Sequence, residues 1–457
     1  MTGSFPEEFL FGAAASAYQI EGGVTDGGRG PSIWDTFSHQ PGNTHQGDSG
    51  DVAADHFHRF REDVQLMKDL GLQMYRFSIS WPRVMPDGTG RVNQEGLDFY
   101  RALVEELLAA GIEPMATLFH WDLPQALQDA GGWPQRSVAG AFAEYATVVY
   151  RALGDRVSWW STINEPWCAA FLGHASGVYA PGVRDPAAAF AAAHHLLLAH
   201  GTAVQAMRAE GIGRHGIPLN PAPVRLGRSD EPDVLNGARV IDGLRNRLWL
   251  DAILAGAYPA DVLENASRFG GLPVEEGDMA VIAEPLDWLG INYYHDLTVD
   301  RAGSSESQLG GGMHPGAEAV TEVVEPGPLT DMGWPLTPTG LYDLLDELRL
   351  RYPGLPPVMI SENGCAYDDP FQPDGTIVDQ RRIDYLDAHL RQVLRALEDG
   401  IDVRGYLVWS ILDNFEWAEG YSKRFGLVHV DYATQRRTPR ESASWYRSLI
   451  ETRGLSG

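Results

Sequence analysis

Cysteine is almost missing from this chain. Cys168 and Cys365 are the only two in 457 residues, too few for a disulfide framework. Each lies three residues beyond a glutamate, and both are expected to be small buried thiols packing beneath a site. Positive charge is also scarce: 35 lysines and arginines stand against 62 aspartates and glutamates, a formal net charge of −27. A surface of that sign repels nucleic acid and anionic membranes, so neither is expected as a partner. The opening residues carry no basic segment followed by an apolar one, and no stretch reads as long enough to span a bilayer. A cytoplasmic protein is expected. The remaining composition, 44% hydrophobic and 21% charged, suits an ordinary globular chain with a sizeable core.

What is present is organised around two strand ends. Val157-Ser-Trp-Trp-Ser-Thr-Ile-Asn-Glu-Pro166 reads as an apolar strand rich in β-branched and aromatic residues, stopped by Asn164-Glu165 and a proline that forbids further pairing. Glu165-Pro166 reads equally well as the opening of a helix, where the macrodipole favours an acidic residue. Much later, Pro357-Val-Met-Ile-Ser-Glu-Asn-Gly364 repeats the design and ends on Glu362, followed by a glycine suited to a positive-φ turn. The recurrence favours two carboxylates offered at strand ends.

Between and around these segments, strands and helices alternate. Apolar runs predict strands at 9–17, 72–79, 112–119, 157–163, 216–219, 286–293, 357–362 and 403–409, the fifth weakened by Pro218, which has no amide to donate. Helical spacing predicts helices at 57–70, 96–110, 138–153, 187–210, 244–255, 340–351 and 383–397; in the first, Phe60, Val64, Met67 and Leu70 share a face and Gly71 stops it. By length alone about three domains would be expected, but α/β barrels run long. Residues 1–457 are therefore read as a single (β/α)8 TIM barrel of the α/β class, with its active site at the C-terminal strand ends. Residues 301–340, rich in Gly, Ser and Pro, are too long for an ordinary connection and are expected to wall or cover the mouth.

Two decoys fall away. Gly211-Ile-Gly-Arg-His-Gly216 matches a dinucleotide fingerprint by letter, but it follows a helix and precedes a strand, the wrong polarity for a phosphate-binding turn. His194, His195 and His200 share a helix without an acidic or cysteine partner at ligand spacing, and are read as surface or packing histidines. Neither metal nor cofactor is expected. Two glutamates facing each other across a mouth lined by Trp, His, Asn and Gln suit glycosidic cleavage. That reaction needs an acid for the leaving oxygen and a carboxylate on the other face of the sugar.

Four segments then carry a family resemblance. They are Phe9-Leu-Phe-Gly-Ala-Ala-Ala-Ser-Ala-Tyr-Gln-Ile-Glu-Gly22, Thr162-Ile-Asn-Glu-Pro166, Ile360-Ser-Glu-Asn-Gly364, and Trp409-Ser-Ile-Leu-Asp-Asn-Phe-Glu-Trp417 continuing into Gly420-Tyr-Ser-Lys-Arg-Phe-Gly-Leu427. In this order the sequence resembles glycoside hydrolase family 1, the β-glucosidase family, over essentially its full length. The resemblance implies a retaining β-glucosidase with some activity on β-galactosides and β-fucosides. Its partners would be small neutral β-glucosides or short β-linked oligosaccharides. It implies Glu165 as general acid/base and Glu362 as nucleophile. By the same resemblance Gln19, His120, Asn164, Glu416 and Trp417 hydrogen-bond sugar hydroxyls, Trp409 forms a stacking floor and Trp121 lines the pocket. Arg76 and Tyr294 would flank Glu362, and Trp167 and Trp334 would border the aglycone.

Beside Arg76 and Tyr294, Glu362 is expected to stay ionised; Glu165, near apolar Trp167 and facing a carboxylate, is expected to hold its proton toward neutral pH. Phospho-glycosidases of the family resemble the chain at Lys423 but carry a small hydroxyl residue where Glu416 stands, and a second carboxylate there would repel phosphate. A transglycosylating relative shares every catalytic residue and stays open. An inert sugar-binding barrel is disfavoured by both intact glutamates.

Overall fold

The computed structural model describes residues 3–303, 312–324 and 326–455. Eight parallel strands close into a barrel: β1 (Leu10–Ala15), β2 (Met74–Ser78), β3 (Glu113–Phe119), β4 (Trp159–Ile163), β5 (Arg214–Leu219), β6 (Trp288–Asn292), β7 (Val358–Asn363) and β8 (Val403–Trp409). Neighbours in sequence are neighbours in space, and β1 closes the ring by pairing with both β2 and β8. Around it run α1 (His56–Asp69), α2 (Gln94–Ala109), α3 (Ser137–Leu153), α4 (Pro186–Glu210), α5 (Leu248–Ala255), α6 (Pro338–Arg351), α7 (Gln380–Glu398) and α8 (Glu441–Thr452), one after each strand. The helix expected at 244–255 begins as a π-helical turn, Gly243–Arg247, and α8 is an addition to the sequence reading.

The strands read as near-continuous apolar runs because both of their faces are covered. Alternate residues point in and out. Met74, Met115, Trp159, Trp288, Met359 and Leu407 come from six different strands yet form one contact cluster, which only the barrel interior allows. Two positions further along, the same inward face carries Arg76 and Thr117, which hydrogen-bond to each other across 3.1 Å. The filling thus changes from apolar to polar toward the C-terminal strand ends.

Parity from Met359 would turn Glu362 outward. The β7 ladder slips in register between Ile360 and Glu362 against β6, and such an irregularity re-aims a side chain, which delivers Glu362 to the interior.

Gly364 differs from expectation. It takes no positive φ; it is needed because a Cβ there would stand 1.8 Å from the Trp409 carbonyl oxygen. That neighbour is backbone and has little room to yield, so Gly364→Ala is expected to destabilise by about 3 kcal/mol or more. Equilibrium unfolding reads this directly, and a change below about 0.5 kcal/mol, ordinary for a surface site, would contradict it.

Pro218 also finds a use. The β4–β5 ladder extends only from Trp159 opposite Arg214 to Ser161 opposite Gly216. Beyond it the Pro218 carbonyl accepts the Glu165 backbone N–H at 2.9 Å.

α4 has the length and apolar composition of a membrane span, contrary to the expectation that no stretch does, but 78% of its most apolar window is buried inside the protein. Its histidines pack inside rather than lie at the surface. His194 bonds Asp278 and Tyr258, each at 2.9 Å, and His200 bonds Thr162 at 2.7 Å.

Candidate active site

The strand ends surround a cavity of about 360 Å³. Of the thirteen side chains given a place in the site from the sequence, ten line it: His120, Trp121, Glu165, Trp167, Tyr294, Trp334, Glu362, Trp409, Glu416 and Trp417. Gln19 and Asn164 are wholly buried behind the wall. Residues 301–340 contribute Met313, His314, Glu322, Met332 and Trp334 to the lining; residues 304–311 and 325 of that segment lie outside the described residues.

Glu165 stands two residues beyond the last residue of β4 and sits at φ +44°, with Pro166 already opening the next helical turn. Strand end and helix opening are therefore both correct readings of the same residue. Trp121 at φ +78° and Trp417 at φ +49° are also left-handed. For residues other than glycine this conformation costs about 1–2 kcal/mol each, and here three such residues gather at one pocket.

A continuous hydrogen-bonded chain joins the two glutamates. Arg76 donates from Nη1 to Glu362 Oε1 at 2.5 Å and from Nη2 to Asn164 Oδ1 at 2.6 Å. Asn292 Nδ2 donates both to Asn164 Oδ1 at 3.0 Å and to Glu165 Oε1 at 2.7 Å. Ser361 Oγ donates to Asn292 Oδ1 at 2.7 Å and so fixes which way that amide faces. Tyr294 completes the Glu362 shell by donating to Oε2 at 2.8 Å. On its other oxygen Glu165 accepts from Asn220 Nδ2 and from the Cys168 thiol, each at 3.1 Å. Cys168 therefore touches the site itself, where a place beneath it was expected.

The two shells differ in charge. Glu362 has a guanidinium and a phenol, whereas every donor to Glu165 is neutral. Arg76 and Tyr294 both favour the ionised form of Glu362, as expected, but two influences oppose them. Burial and the facing Glu165 outweigh them and raise its carboxyl to about 7. Glu416 goes further, to about 8, because it is buried and shares the cavity with Glu362 and Glu165. Burial beside other carboxyls thus makes both Glu362 and Glu416 harder to ionise than their sequence neighbours suggest.

The wall residues hold the lining in place. Because Asn164 Oδ1 is taken by Arg76 and Asn292, its Nδ2 must face His120 Nε2, 3.0 Å away. His120 Nε2 then accepts and Nδ1 carries the proton, buried and without a partner. Burial and Arg76 keep this imidazole neutral, well below the usual histidine range. An N–H donor is left unpartnered on a residue that lines the cavity. Gln19 Nε2 donates to Asn414 Oδ1, to the Phe415 carbonyl and, at 3.4 Å, to Glu416 Oε2. Trp409 and Trp417 flank the His120 ring, with centroids at 5.8 and 5.9 Å and planes within 25°. Trp167 and Trp334 line the outer part. Lys423 is already engaged, donating to the Asp331 carbonyl at 2.7 Å.

Asn220 was missed as a site residue, whereas Asn292 falls at the strand ends where the sequence places it. Asn220 had a readable signal, since Leu219-Asn220-Pro221 ends a strand on a polar residue and a proline much as Asn164-Glu165-Pro166 does.

Three comparisons bear on this arrangement. The model of the family described as glycosyl hydrolase family 1 matches residues 1–455. Beta-glucosidase A of Thermotoga maritima is 47% identical over 456 residues, covering 99% of this chain and 98% of the relative. A bifunctional beta-D-glucosidase/beta-D-fucosidase of Bifidobacterium breve is 46% identical over 464 residues, covering 98% and 99%. A solved family 1 β-glucosidase from Thermotoga maritima, in complex with isofagomine lactam, superposes with a TM-score of 0.93 at 46% identity and full coverage of both chains.

Proposed function

The chain belongs to glycosyl hydrolase family 1, and from that membership we propose that it is a retaining β-glucosidase acting by double displacement. Glu362 attacks the anomeric carbon while Glu165 protonates the departing oxygen; the bond to the leaving group breaks as the glycosyl-enzyme ester forms. Glu165, now ionised, takes a proton from water, which attacks the same carbon and releases Glu362. The observation that carries the assignment of roles is the asymmetry of the two shells. A cation at 2.5 Å suits the carboxylate that must attack as an anion. Neutral amides and a thiol suit the one that gains and loses a proton in every turnover.

His120 Nδ1, Trp409 and Glu416 supply the pocket for a neutral sugar. Related β-fucosides are proposed as second substrates, a reading supported by the bifunctional relative. Retention is tested by early-time NMR. The sugar formed first is expected to be the β-anomer, and an α-anomer would overturn the mechanism.

Glu416 carries the substrate preference. A charged acceptor is worth about 1.5–3 kcal/mol per hydrogen bond, and sugar hydroxyls donating to Glu416 favour its ionised form. Glu416→Ser is expected to lower kcat/KM on glucosides at least about tenfold, about 1.4 kcal/mol. It is also expected to narrow the margin over 6-phosphoglucosides, because a like charge is gone. An unchanged glucoside value would remove Glu416 from the site.

A further inference from the structure

The two oxygens of Glu165 are not equally free to carry a proton. An ionised carboxylate offers two lone pairs on each oxygen. Oε2 uses both, accepting from Asn220 Nδ2 and from the Cys168 thiol, each at 3.1 Å. Oε1 accepts from Asn292 Nδ2 at 2.7 Å and, among the described residues, from nothing else.

The thiol is held to this task by its surroundings. The Cys168 N–H donates to the Glu165 carbonyl at 2.9 Å, closing a turn that leads into the π-helical segment Cys168–Ser176 and brings the two side chains together. Asn220 Nδ2 donates to Cys168 Sγ as well, at 3.4 Å. With its sulfur accepting from Asn220, the thiol has its own hydrogen left for Oε2. Burial and the neighbouring Glu165 push this thiol well above the usual cysteine range, so it keeps that hydrogen and donates it.

Oε1 stands on the opposite side. Its donor Asn292 also bonds Asn164, and Asn164 accepts from Arg76, which reaches Glu362. The open lone pair of Glu165 therefore belongs to the oxygen on the nucleophile's side, where a scissile bond held between the two glutamates would lie.

Building on the retaining mechanism, we propose that Cys168 is a positioning residue for acid catalysis: with Asn220 it fills Oε2, so that the proton given to the departing oxygen is carried on Oε1. That proton leaves Oε1 as the glycosidic C–O bond breaks, and Oε1 takes one from water in the second step. Loss of the thiol opens a second place for the proton, on the oxygen turned toward Asn220 and away from the leaving group. General acid catalysis contributes about 10²–10⁴-fold, and a misplaced proton forfeits part of it.

The test compares kcat/KM on phenyl and dinitrophenyl β-glucosides, which present the same aromatic ring but differ in their need for an acid. In Cys168→Ala the ratio of the phenyl to the dinitrophenyl value is expected to fall at least about fivefold. In Cys168→Ser, whose hydroxyl keeps a donor at this place, at least about half of that fall on a logarithmic scale is expected to be recovered. A smaller fall with alanine, or a smaller recovery with serine, overturns the proposal, because lost packing alone would lower both substrates together. Where Cys168→Ala does not fold, Asn220→Ala, which removes the other donor to Oε2, is read by the same threshold. Glu165→Ala is measured beside them. If it lowers both substrates equally, Glu165 is not the acid and the mechanism on which the inference stands fails. That outcome is distinct from a Glu165→Ala variant that separates the substrates while Cys168→Ala does not.

Discussion

Glu362→Ala is expected to lower kcat/KM on every β-glucoside at least about a thousandfold, or about 4 kcal/mol of transition-state stabilisation. Added azide is expected to restore turnover by a different route. A small anion enters the space of the missing carboxylate, beside Arg76 and Tyr294, and attacks an activated aryl β-glucoside from the α face as the phenolate leaves from the β face, giving the α-azide. Glu165→Ala is expected to separate substrates by their leaving groups. Activated aryl glucosides need no protonation and should still glycosylate Glu362, then stall, because no base remains for the water. Azide should release that intermediate as the β-azide. The two products form on opposite faces of the sugar, so NMR of the azides assigns the roles independently of any rate. Exchanged anomers would reverse acid and nucleophile.

Arg76→Met is expected to be nearly as damaging, at least about a hundredfold in kcat/KM at neutral pH, because it breaks the hydrogen-bonded chain next to Glu362 and leaves that carboxyl buried without its cation. Its sharper signature is the pH profile. In the proposed mechanism Glu362 attacks only when ionised, and burial raises its carboxyl to about 7. Wild-type kcat/KM should therefore fall as the pH drops through about 7. Arg76 is the largest influence lowering that value, so removing it should move the acid limb to higher pH. A loss of activity with an unmoved limb would mean that Arg76 acts only through packing.

Much of the site was legible because it lies at strand ends, and strand ends in a parallel barrel are marked by abrupt changes from apolar to polar residues. Ile163 to Asn164 and Leu219 to Asn220 are both such steps. The inward aim of Glu362 was not legible. Period-2 alternation from Met359 turns it away, and the register slip that corrects this is a property of the β6–β7 pairing rather than of either strand. Proton placement was hidden for a related reason. The sequence offers Arg76 and Tyr294 as partners of Glu362, but the depth of burial and the nearness of Glu165 and Glu416 arise only when distant strand ends meet. Gly364 shows a third kind of limit. A glycine after a strand suggests a turn, whereas the reason for this one is a carbonyl arriving from Trp409, 45 positions along the chain.

The left-handed backbone at Glu165, Trp121 and Trp417 has a consequence for how this protein can change. At each of these positions the residue best for folding and the residue best for turnover are different amino acids. Glycine, or to a lesser degree asparagine, sits at positive φ with less strain, while the proposed roles need a carboxyl or an indole. Selection for abundance alone would drift away from all three, and selection for activity would hold them. A lineage that kept the barrel but lost its substrate should record that loss first at these three positions, as substitutions toward glycine and asparagine, while the hydrophobic layer beneath remained unchanged.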